Sequence, residues 1–155
     1  MDPVLDVSEH FTWLEARCHD GTSVPDALKP NAIQLASQLE ILRNAWGGPL
    51  MVTSWYRTPA YNEALRQAAM AAGRTPGTAK DSQHMTARAA DIHPVRLADI
   101  PLLRRLIEMM LGNGALPLIG GWGVYPQWIH VDVRPRPATG HIAFWLGEGV
   151  ASEMA

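Results

Sequence analysis

The chain has 155 residues, about one domain's worth, and its 47% hydrophobic and 18% charged residues are an ordinary globular composition. Its 13 Lys+Arg against 15 Asp+Glu give a formal charge of −2, without the basic surplus that phosphate neutralisation demands, so nucleic acid is not an expected partner. The one cysteine, Cys18, excludes an intrachain disulfide and a multi-cysteine zinc cluster, which leaves His, Asp and Glu as the only donors for a metal.

From its start, Met1 to Asp6, the chain has neither a basic stretch nor an apolar core, so the expectation is cytoplasmic synthesis without a signal peptide. The first 25 residues and the last eight read as peripheral arms of a single domain spanning 1–155. Leu35, Leu39, Leu42 and Trp46 recur on one face of a helix between Asn31 and Trp46, which Gly47 and Gly48 end. Leu50 to Ser54 reads as a strand. Tyr61, Leu65, Ala68 and Ala72 mark a second helix from Pro59 to Ala72, with Thr58 as its N-cap and Gly73 as its stop. Arg74 to Gln83 is a polar loop long enough to carry function.

Arg88 to His93 is the next strand. Leu103, Leu106, Ile107 and Met110 then form a third helical stripe between Asp99 and Leu111, with Pro101 tolerated in the first turn. The uncharged stretch Gly112 to His130 is broken by four glycines and two prolines, and no segment resembles a membrane span of about 20 apolar residues. Trp128 to Val133 and His141 to Leu146 complete the predicted strands. This order predicts an α+β fold with helices packed on a small, mostly antiparallel sheet.

Polar residues interrupt these strands where a core would not place them. On the strand Trp128 to Val133, Ile129, Val131 and Val133 face one way, and His130 and Asp132 share the other side about 6.6 Å apart. Asp91 and His93 share a face of the earlier strand. His84 and Asp91 would lie about 10.5 Å apart on a continuous helix, too far to chelate one ion, so only a loop between them brings them together. His84, Asp91 and His130 would then supply two nitrogens and one oxygen, a common catalytic zinc set with the fourth position left to water. From spacing alone the alternatives stay open. His-x-Asp also describes a strand's solvated face, Asp91 suits a turn, His93 could replace one of the ligands, and Arg57 reads equally as a solvent-facing residue before a helix.

Ser82-x-His84-x-x-Ala87-x-Ala89-x-Asp91 resembles the Ser-x-His-x-x-Gly-x-Ala-x-Asp signature of the zinc D-Ala-D-Ala carboxypeptidase and L-alanyl-D-glutamate endopeptidase family, the hedgehog-like peptidoglycan metallopeptidases. Phe11 to Glu15 with Cys18, Val52 to Asn62, and Gly120 to Pro126 followed by Ile129 to Asp132 resemble further family segments in the same order. The resemblance runs from Phe11 to Trp145. It implies a hedgehog-like α+β fold, one zinc ion on His84, Asp91 and His130, and substrate contact by Arg57 and Ser82. A planar guanidinium suits this, since it grips a carboxylate bidentately.

Three positions depart from the pattern. Trp55 and Ala87 stand where the family has glycine. Gln127 stands where many members have a carboxylate, three residues before the last zinc histidine. The chain fits a His-x-Asp branch instead, in which Asp132 is either the general base or a residue orienting a ligand. His93 and Glu63 are further candidates for the base. The implied activity is hydrolysis of peptidoglycan stem peptides, as a carboxypeptidase or endopeptidase. Without a signal peptide, a phage-type lysis enzyme released onto the wall accounts for access. A non-catalytic zinc-containing module binding peptidoglycan or protein, and a peptidase acting on recycled wall peptides, are the alternatives.

Overall fold

Local sequence chemistry sets most element boundaries in the computed structural model, which describes Asp2 and residues 4–150. A short hairpin of β1 (Asp6–Ser8) and β2 (Phe11–Thr12) leads into the single-turn helix α1 (Trp13–Ala16). So short a helix depends on its capping box. The Glu15 N–H donates to the Thr12 hydroxyl at 3.2 Å, and the Thr12 N–H donates to the Glu15 carboxylate at 2.9 Å.

Helix α2 (Lys29–Trp46) starts two residues before the predicted point, because Pro30 fits its first turn, and ends at Gly47 with φ 80°. Strand β3 (Leu50–Ser54) follows as predicted. Helix α3 (Pro59–Ala71) is capped by the Thr58 hydroxyl, which accepts the Tyr61 N–H at 3.1 Å. Then come β4 (Ala89–Pro94), α4 (Ile100–Gly112), β5 (Gly121–Val124), β6 (Ile129–Asp132) and β7 (Ala143–Leu146).

The main sheet has the order β3-β4-β6-β5-β7, antiparallel except for the parallel β5–β7 pair. Ala90, Ile92, Ile129, Val131 and Val124 are buried, and they share one face by register. With the buried stripes of α2 (Leu35, Leu39, Leu42) and α4 (Leu103, Ile107, Met110) they make the core. The fold is α+β, as predicted.

One expectation is corrected. The N-terminal segment is no peripheral arm: Phe11, Ala16, Cys18 and Val24 are buried. The Phe11 ring meets Trp55 edge-on at 6.3 Å, and the Tyr56 N–H donates to the Ala16 carbonyl at 3.0 Å, so this segment closes one end of the core. Of the expected C-terminal arm, residues 151–155 lie outside the described residues, and Val150 packs against the core.

Strand β5 is not among the predicted strands, and its glycines have a packing role. A Cβ on Gly123 would overlap the Trp145 indole, and one on Gly121 would crowd Asp132 and Arg134. Glycine here makes room for side chains from neighbouring strands. Gly123→Ala should therefore cost about 1–3 kcal/mol by overpacking and lower the thermal midpoint by several degrees. An unchanged melt of the purified variant would contradict this packing.

Candidate metal centre

Strand register does what sequence spacing alone could not. Asp91 on β4 lies directly opposite His130 on β6, with Ala89 opposite Asp132. The face that carries them is buried, so the His-x-Asp pattern is not a solvated edge. His84 arrives from a 3-10 turn, Gln83–Thr86, whose N-cap Ser82 accepts the His84 N–H at 3.2 Å. Ala87 ends that turn at φ 59°, a left-handed conformation that costs a residue with a Cβ about 1 kcal/mol. The departure from glycine at this position thus falls where glycine is physically preferred.

The three side chains converge. One ligand atom from each of His84, Asp91 and His130 lies within 4.8 Å of the others, and all three residues are buried. His84 Nδ1 is 2.6 Å from the Trp55 carbonyl and Nε2 is 3.2 Å from Asp91 Oδ1. His130 Nδ1 is 3.1 Å from the same oxygen, and its Nε2 is 2.8 Å from Asp132 Oδ2. The Arg57 guanidinium donates to Asp91 Oδ2 at 3.3 Å and to the Ser54 hydroxyl at 3.2 Å.

Protonation states test whether this set fits a metal. Burial pushes His84 below its ordinary value, so its ring is neutral and carries one N–H. The Trp55 carbonyl can only accept, so it claims that proton and leaves a lone pair on Nε2 aimed at a carboxylate oxygen. Two acceptors 3.2 Å apart repel, and a cation shared between them satisfies both. Burial alone would lower His130 too, but its contacts with Asp132 and Asp91 outweigh that and hold it above its ordinary value. Asp91, which burial would raise, is held far below the usual carboxylate range by the groups gathered on it, the His130 ring among them. The residues fit a divalent cation, which would take both imidazoles as neutral ligands. Two nitrogens and one oxygen suit zinc.

Asp132 is enclosed. It is 0% exposed, and both of its oxygens are engaged. Oδ2 accepts from Arg134 Nη2 at 2.7 Å as well as from His130, and Oδ1 accepts from Arg134 Nε at 2.8 Å and its N–H at 3.1 Å. These contacts with His130 and Arg134 outweigh burial and keep Asp132 ionised well below the usual range.

A cleft of about 730 Å³ opens over the triad, and Arg57, Ser82, Arg134, Trp128 and Trp145 are among its walls. On α3, Leu65 and Ala68 line this cleft, so the apolar stripe predicted there serves as cleft wall more than as core. The loop after α3 also lines it, tied down where Asn62 donates to the Ala79 carbonyl at 3.0 Å.

Other candidates fall elsewhere. His93 is not part of the convergent group, and its Nδ1 lies 2.6 Å from the Pro94 carbonyl. Glu63 is held by Arg66 at 3.0 Å and Gln67 at 2.9 Å and does not line the cleft. Gln127 is exposed. Trp55 is buried in the core and donates to the Ala87 carbonyl at 3.1 Å. Arg134 and Trp145 went unread in the sequence. The period-2 pattern His130-x-Asp132-x-Arg134 was the available signal for the first.

The sequence model of one family, Peptidase M15, matches residues 9–132 of the chain. Neither the curated proteins nor the solved structures yield a match.

Proposed function

As the chain belongs to the peptidase M15 family, whose members are metallopeptidases, we propose that it hydrolyses peptide bonds in the stem peptides of bacterial peptidoglycan with one zinc ion held by His84, Asp91 and His130. The observation that carries the zinc assignment is the convergence of two imidazole nitrogens, from His84 at 3.2 Å and His130 at 3.1 Å, on one oxygen of Asp91 in a buried triad. When bound, zinc supplies Lewis acidity, lowering the pKa of a water towards about 7 and polarising a carbonyl.

The chain's own residues divide the remaining work. Arg57 lines the cleft with its orientation fixed by Asp91 and Ser54, ready to hold a substrate carboxylate or carbonyl oxygen. Ser82 supports the turn that presents His84. Enclosure of Asp132 favours an orienting role over that of general base. Hydrolysis needs a group that takes a proton from water and returns it to the leaving amine. Asp81 and Glu148 are exposed carboxylates that line the same cleft. Arg57, Arg74 and Arg134 also line the cleft, and with a dication bound they favour an anionic substrate such as a stem peptide with free carboxylates. Release onto the wall during phage-type lysis would bring enzyme and substrate together.

The test is incubation of the purified protein with defined muropeptides, with and without a chelator, followed by mass spectrometry. Zinc-dependent cleavage products are expected. The enclosure of Asp132 also motivates a second reading, a zinc-containing module that binds peptidoglycan without cutting it. Zinc binding with no product across the panel would establish that reading in place of the first. Metal loading should appear in stability as well. At free zinc about a thousandfold above Kd, native-state binding contributes ~4 kcal/mol, which raises the thermal midpoint of a chain this long by roughly 8–16 °C. Scanning calorimetry with and without a chelator measures that shift, and its absence would argue against a folded-state zinc site.

A further inference from the structure

The family match ends at Asp132, yet the side chains that grip Asp132 and flank His130 come from the next thirteen residues. Arg134 reaches both oxygens of Asp132 through Nε at 2.8 Å and Nη2 at 2.7 Å, the bidentate geometry a guanidinium provides and an ammonium cannot. Its guanidinium lies over the Trp145 ring at 5.2 Å. That indole in turn lies 5.1 Å from the His130 ring and donates to the Tyr125 hydroxyl at 2.8 Å. The glycines of β5 give this assembly its space, since Cβ atoms at Gly121 and Gly123 would collide with Arg134 and Trp145.

We infer that Arg134, backed by Trp145, is a positioning residue that acts through Asp132 to hold the His130 ring with Nδ1 presented to the metal site. The inference rests on the zinc reading above. His130 can rotate about its side-chain torsions, and either ring nitrogen can serve as a ligand. The hydrogen bond from Nε2 to Asp132 selects Nδ1 for the metal, and that selection is only as firm as the carboxylate is fixed. Arg134 fixes it by geometry, because the two-point fork sets the carboxylate plane. Trp145 limits motion of both the guanidinium and the imidazole by covering them.

A zinc competition titration against a chromophoric chelator tests this on the full chain, with far-UV circular dichroism to verify folding. Wild type binding one zinc establishes the premise independently, and a wild type that binds none removes the premise rather than the inference. Arg134→Ala should then weaken zinc binding by about 10–100-fold, the usual cost of losing an outer partner of a metal ligand. Arg134→Lys, which keeps charge but loses the fork, should fall between the two and serves if the alanine variant does not fold.

The decisive arm is a double-mutant cycle. If Arg134 works through Asp132, Arg134→Ala in an Asp132→Asn background should cost little further zinc affinity. Cobalt substituted for zinc should show an altered visible spectrum in Arg134→Ala, which a purely structural role would not produce. Zinc affinity within twofold of wild type in a folded Arg134 variant would overturn the inference. So would full additivity in the cycle, or a variant whose only defect is a raised KM.

Discussion

Replacing His84 or His130 with alanine should remove bound zinc and hydrolytic activity together while leaving the fold in place. Each histidine supplies one of three donors that lie within 4.8 Å of one another, and two donors hold a dication poorly. The affinity loss should exceed the roughly 100-fold that loss of an outer partner costs. Turnover should fall by about 10³-fold or more, since a metal contributes several kcal/mol to such a transition state.

The two variants differ in stability. His84→Ala leaves the buried Trp55 carbonyl without its donor, a cost of about 1–3 kcal/mol. His130→Ala takes the ring from between two carboxylates, but Arg57 still holds Asp91 and Arg134 still holds Asp132. His93→Ala is the control, because His93 stands two residues from Asp91 outside the convergent group. Metal analysis after dialysis, with circular dichroism on the same samples, reads all three. Full zinc in either triad variant would dismantle the centre.

The sequence exposed the helices because their ends are written locally: Thr58 at one start, Gly47 at one end, and apolar residues at helical spacing between. It exposed the triad because His84, Asp91 and His130 are polar residues in apolar surroundings with a recognisable pattern. What it concealed was decided by tertiary register. Asp91 and His130 meet only because β4 and β6 pair with those two residues opposite each other. The Gly-Trp-Gly of β5 gives no strand signal of its own, because its glycines answer to Trp145 and Arg134, which occupy the space of the missing Cβ atoms. Likewise, nothing local marks Phe11 as core, since its partner Trp55 lies far along the chain. Asp132 shares a strand face with His130 as expected. Its isolation from the cleft depends on Arg134, whose grip becomes evident only when bond geometry is known.

Asp132→Asn separates the two roles that the sequence left open. The wild-type carboxylate accepts four hydrogen bonds on two oxygens, one from His130 and three from Arg134. An asparagine has one acceptor oxygen, so its amide N–H groups must face donors on one side. In a fully buried position that mismatch costs about 1–3 kcal/mol per unsatisfied group. If Asp132 orients His130, the variant binds zinc about 10–100-fold more weakly, and saturating zinc restores most of the turnover. If Asp132 is instead the proton acceptor, zinc affinity is nearly unchanged and turnover falls by about 10²–10⁴-fold at every zinc concentration. Titrating activity against free zinc for wild type and variant distinguishes them. The four occupied positions on the carboxylate lead us to expect the first result, a displaced zinc dependence with a plateau close to that of wild type.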